Sequence, residues 1–140
     1  MMLPWLEIFG ATLTLISALT SAGMILFASH WQVIEGWAYG GTHRPWPVWL
    51  LGGVLLCLWA LGLADIILHP TPGHAWAGWS LAIGVPALWA VKSVALVFNA
   101  RGRAAVSAIS DPRNWRLIGL ARLPIAIILA MLTCLARPNF

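Results

Sequence analysis

Three charged side chains lie inside stretches that are otherwise apolar: Asp65, Lys92 and Arg122. An ionisable group in a segment that crosses lipid is by default a candidate for function, because keeping a charge out of water is costly. This makes Lys92, Asp65 and Arg122 the possible intramembrane polar site. Asp65 belongs near one end of its stretch and Lys92 beyond the centre of the next. At about 1.5 Å of rise per residue their depths differ by roughly 15 Å or more, so a direct ion pair between them is not expected. The plain reading of Lys92 and Arg122 is that their long stems carry the charge to the lipid boundary. The sharper one is a buried charge that meets a carboxylate on a neighbouring subunit or lines a transport path.

The remaining chemistry-bearing residues form no constellation. A haem between helices needs two imidazoles at matched depth on facing helices. His30 and His43 flank one connection, whereas His69 and His74 flank another at the opposite boundary. Two histidines on a short loop without a nearby cysteine make a poor metal site, so no metal is expected. Cys57 and Cys134 are expected at different depths, which disfavours a disulfide, and no CxxC occurs. Glu7 stands at the very start of the first apolar stretch, too shallow for an embedded proton-coupling acid. No acid–base pair, no nucleophile with its base and no glycine-rich phosphate loop is present, so no catalytic residue is assigned. No cofactor is expected beyond bound lipid.

These residues are positioned by elements that composition itself defines. Of 140 residues 61% are apolar and 9% charged, whereas a soluble domain has about 25% charged residues. The chain cannot clothe a globular surface in polar groups, so lipid must be its solvent. Ten Trp against one Tyr and four Phe favour the membrane–water boundary. A hydrocarbon crossing takes roughly 20 apolar residues. Four such runs occur, at about 8–29, 47–68, 75–98 and 117–136, too long and too unalternating for barrel strands. The expected fold is an all-α integral membrane bundle of four transmembrane helices, one domain over residues 1–140. The first run lacks a basic leader and is read as a retained anchor rather than a cleaved signal.

The arginines orient this bundle. The first connection carries Arg44 and the third carries Arg101, Arg103, Arg113 and Arg116, against Arg137 alone on the other side. Lys and Arg gather in cytoplasmic loops, so both termini are expected on the non-cytoplasmic side, in a multi-pass protein of a bacterial inner membrane. This topology also explains the net charge of +4 without a nucleic-acid partner. Ser110-Asp111-Pro112 reads as a helix cap followed by proline at the first helical position, so the fourth helix should begin at Pro112. Arg113 and Arg116 in its first turns oppose the helix dipole unless an anion sits there. Arg101, Arg103, Arg113 and Arg116 are therefore expected to contact lipid headgroups or another anion.

The first connection, with Trp31, Trp37 and Trp46, is expected in the headgroup layer and to turn at Gly40 and Gly41. The short second connection predicts a tight hairpin of the second and third helices. Pro86 should free one carbonyl and bend the third. In the first helix Gly10, Thr14, Ser17 and Ser21 form a small, hydroxylated face built to pack against protein. Gly52, Gly53, Ala60 and Ala64 of the second helix could answer it. The expected role is a non-catalytic accessory or anchor subunit that packs against other membrane subunits. The alternative is a small transporter or channel working as a homo-oligomer.

Overall fold

The computed structural model describes residues 4–39, 43–69 and 75–137. The turn expected at Gly40 and Gly41, and His74 with the second connection, lie outside the described residues. The described chain is helical, and four helical stretches are long and apolar enough to cross a membrane: Trp5–Leu26, Trp46–Leu68, Trp76–Leu96 and Pro112–Leu135. In chain order the elements are α1 (Trp5–Leu26), α2 (Ala28–Tyr39), α3 (Trp46–Leu68), α4 (Ala75–Trp79), a π-helical turn (Ser80–Gly84), α5 (Val85–Leu96), α6 (Ala100–Ser107) and α7 (Pro112–Leu135). The third long stretch is thus α4, the π turn and α5 in succession.

The first and last helices form the centre. Antiparallel α1 and α7 meet along most of their length, through buried Gly10, Ser17 and Met24 on α1 and Gly119, Ala126 and Thr133 on α7. Each set recurs every seven residues, the spacing that keeps one face of a helix on a partner. A methyl group on Gly119 would stand 2.9 Å from the Ser21 carbonyl oxygen and from Met24 Cβ. Only glycine lets the two backbones come this close, and close approach is what apolar surroundings reward. Gly10 likewise lies against Thr133 and Leu81. At the far end the Arg137 guanidinium meets the Glu7 carboxylate at 3.2 Å, tying the start of α1 to the end of α7.

This pairing corrects the expected answer to the α1 small-residue face. Gly52 and Gly53 have open space where a side chain would go, and it is Gly62 of α3 that lies on the Leu6 backbone of α1. The hairpin of the second and third stretches is also only half closed. Gly78 packs on Ile66 and Leu6 near the connection, but beyond Pro86 the α5 half separates from α3. A proline has no N–H for the carbonyl four residues back, and its ring crowds that carbonyl. The helix responds by widening: the Val85 N–H donates to the Ser80 carbonyl five residues back. The Ala82 oxygen, which Pro86 cannot serve, accepts the Trp59 indole N–H at 2.7 Å. A cleft of about 230 Å³ lined by Phe9, Leu13, Leu55, Trp59, Pro86 and Trp89 opens where α3 and α5 diverge.

The opposite end of the bundle holds a second small core. The chain breaks helix at Phe27 (φ −114°, ψ 32°), so α2 leaves the line of α1 and the Trp31 ring folds onto Gly23. Met24, Ala28 and Trp115 are buried together there with Trp31, Val106, Ile109 and Ile118 around them. The expected cap forms: the Asp111 carboxylate accepts the Arg113 backbone N–H at 2.9 Å and α7 starts at Pro112.

Candidate functional site

The polar residues sort into two groups at opposite ends of the bundle. Asp65 stands in the last turn of α3, beside the first turn of α1. Its carboxylate accepts the Leu6 backbone N–H at 3.4 Å and contacts His69 Nδ1 at 3.3 Å. The start of a helix has backbone N–H groups without partners and the positive end of the dipole. Pro4, which precedes α1, offers no capping side chain. Asp65 therefore supplies from a neighbouring helix the oxygen that the sequence of α1 lacks.

Lys92 and Arg122 both lie toward the other end. Lys92 on α5 stands within electrostatic reach of Arg122 on α7 and of Glu35 on α2. Glu35 accepts the Trp31 indole N–H at 3.1 Å, one helical turn apart on α2. The only contact of the half-buried Arg122 guanidinium among the described residues is the Met24 sulfur at 3.8 Å, a weak acceptor. Two of the three residues proposed from sequence thus lie within electrostatic reach of each other, with Glu35 as a third charge and Met24 against Arg122, neither of which sequence reasoning selected. The signal for Glu35 was its four-residue spacing from Trp31; nothing in the sequence pointed to Met24.

The arginine quartet divides. Arg103 donates from Nη1 to the Val97 carbonyl at 2.9 Å. Arg101 is exposed, and its backbone N–H is capped by Asn99 Oδ1 at 2.9 Å. Arg113 and Arg116 are exposed on the first turns of α7. Arg44, which entered the sequence argument only as a topological charge, reaches the same Val97 carbonyl as Arg103, at 2.9 Å. In α1, Ser17 and Ser21 are buried, and Thr12, Thr14 and Thr20 donate to carbonyls of their own helix. These threonine hydroxyls bond within α1 rather than to a pathway. The Ser21 hydroxyl is fully buried without an acceptor among the described residues. Cys57 and Cys134 are both free thiols on exposed positions, and no three His, Cys, Asp or Glu side chains converge among the described residues.

The chain matches no protein-family model, no curated protein and no solved structure. Fold and site alone define the class: an all-helical chain with four helices able to span a membrane.

Proposed function

We propose that the chain is a non-catalytic accessory or anchor subunit, embedded in a bacterial inner membrane, that docks on another transmembrane helix through the outward face of α3. The arginine-rich end with α2 and α6 then lies on the cytoplasmic side, and both termini lie opposite. One observation carries the docking reading. Leu55, Gly62 and Ile66 are the buried face of α3, and Gly53, Cys57, Ala60 and Ala64 are exposed. At 100° per residue these four lie on the side of the helix opposite the buried one. A face that meets only lipid has no need of small residues, whereas a face that meets a helix gains from them. Leu50, Leu61 and Leu68 rise along one side of this stripe, forming a ridge beside the groove.

The grouping of Lys92, Arg122 and Glu35 favours a second reading, a small homo-oligomeric transporter with these side chains on its path. Cys57 stands within the stripe, so the native thiol can report on what covers it. In membranes holding a Cys134→Ser variant, a short bis-maleimide should link Cys57 to a larger chain. Gly53→Leu with Ala60→Leu should abolish that link and return the protein to monomer mass in mild detergent. A link of two identical chains, with substrate flux in liposomes that Lys92→Ala removes, would establish the transporter instead. A Cys57 that reacts freely with maleimide and links to nothing would defeat the docking reading.

A further inference from the structure

The cleft where α3 and α5 diverge leads toward the charges of Lys92 and Arg122. Val85, Pro86 and Trp89 form the α5 wall of the cleft. Lys92 follows Trp89 by three residues and Val85 by seven, so it stands on the same side of α5, one turn beyond the cleft. On α1 the wall is Phe9 and Leu13. Met24, eleven residues past Leu13, returns to the same line of that helix about 16 Å further on. The Arg122 guanidinium lies against its sulfur. The walls on α1 and α5 thus run in one direction, from an apolar cleft to a pair of cations.

That pair is short of an anion. Lys92 feels Arg122 and one carboxylate, Glu35. Glu35 already accepts the Trp31 indole N–H, and neither cation forms an ion pair among the described residues. Arg122 has five N–H donors, and among the described residues they meet no oxygen, only the Met24 sulfur at 3.8 Å. A guanidinium inside a span without an oxygen partner is costly. Two positive charges against one negative leave a surplus of one. Lys92 is exposed and stands one turn short of the end of Trp76–Leu96, from where its stem reaches the phosphate layer.

We infer that this surface binds one anionic phospholipid, with its phosphate on Lys92 and Arg122 and one acyl chain in the cleft. The cleft, about 230 Å³, exceeds the apolar cavity of about 150 Å³ that takes up benzene, so it admits a length of hydrocarbon. A void that faces lipid forfeits dispersion contacts until a chain fills it. A lipid tail gains no hydrophobic free energy by leaving its neighbours for the cleft, so the cleft takes up a chain and the charges decide which lipid brings it. The surplus matches the single negative charge of a phosphodiester, and the Arg122 fork can take two of its oxygens. The site rests on the membrane placement of the spans but not on docking: the cleft uses Gly52 of α3, whereas the docking face holds Gly53 and Ala60.

The test uses the full chain in neutral detergent micelles, where no charged surface contributes. Phosphatidylglycerol, phosphatidylcholine with the same chains, or glycerol phosphate without chains is added, and bound ligand is counted by native mass spectrometry. Wild type should retain phosphatidylglycerol in preference to phosphatidylcholine. Lys92→Gln with Arg122→Gln should weaken that retention roughly thirtyfold. Arg113→Gln with Arg116→Gln removes the same charge from exposed positions and should cost less than about threefold. Arg122→Lys keeps the charge but loses the fork, and should retain part of the affinity that the glutamine pair loses. A Cβ on Gly52 meets nothing within 4 Å, so Gly52→Leu occupies the cleft without moving the backbone. It should weaken retention of both lipids and leave the preference between them intact. Equal losses in the two glutamine pairs, equal retention of the two lipids, or retention untouched by Gly52→Leu would overturn the inference. Displacement of the lipid by glycerol phosphate alone would do the same, because such a site would need no chain.

Discussion

Trp59 and Pro86 should depend on each other. The Ala82 carbonyl faces a proline that has no N–H to give, and the Trp59 indole donates to it at 2.7 Å. A buried carbonyl left without a donor costs about 1–3 kcal/mol. Hydrogen bonds between helices in lipid average only about 0.6 kcal/mol and reach about 1.7, because the acceptor usually has another donor to fall back on. Here the usual fallback, the N–H four residues on, is missing, so the upper end applies. Trp59→Phe removes the N–H and part of the ring, and should lower stability by about 2 kcal/mol. Pro86→Ala restores an N–H in register with Ala82 and lets the π turn relax toward α-helix. In that background Trp59→Phe should lose only the packing part, leaving a coupling of about 1.5 kcal/mol between the two positions. The four proteins of the cycle can be compared by reversible unfolding in mixed micelles, followed by circular dichroism. A coupling under about 0.5 kcal/mol would show that the indole bond does not serve the proline-deprived carbonyl, and the reasoning would fail.

Two further outcomes follow from single side chains. Asp65→Ala removes the oxygen that caps α1 and should cost about 1 kcal/mol in the same unfolding assay, while Asp65→Asn, which keeps an acceptor, should stay within about 0.5; a loss in Asn as large as in Ala would mean that charge rather than capping matters. Ser21→Ala deletes a buried hydroxyl with no acceptor among the described residues at little change of shape, and should raise stability by about 1 kcal/mol, so a lower midpoint for the alanine variant would reveal a partner for that hydroxyl.

The four long helices were legible because an apolar run long enough to cross lipid leaves few alternatives to a helix. Trp46–Leu68 was expected from Pro47, and the start of α7 was readable in Asp111-Pro112, where side chain and ring both favour a first turn. Pro86 announced a freed carbonyl, although not the indole of Trp59 that answers it. The helix α2 was not legible: Ala28–Tyr39 mixes polar and aromatic residues without a clear period, and its course depends on Trp31 reaching Gly23 through space. The partner of α1 was misjudged for a related reason. Gly52 and Gly53 drew attention because they are adjacent and conspicuous, whereas Gly119, Ala126 and Thr133 announce themselves only when read at intervals of seven. For the polar residues, the Trp31–Glu35 contact lies within one helix yet was not read from the sequence, and nothing local could show that Arg44 and Arg103 share one carbonyl. Gly102, against the Ala95 carbonyl and the Leu96 backbone, has no room for a side chain where α6 packs on the end of α5.

The union of α1 with α7 sets an order on biogenesis. α1 ends at Leu26 and its main mate α7 starts only at Pro112, so the hydroxyl-bearing seam of α1 stays uncovered while everything between them is synthesised. Contacts of such long separation close slowly, and a seam left open in the interim invites the wrong neighbour. A nascent chain stalled before Pro112 should accordingly be retained by chaperones or degraded, and its release should coincide with the arrival of α7.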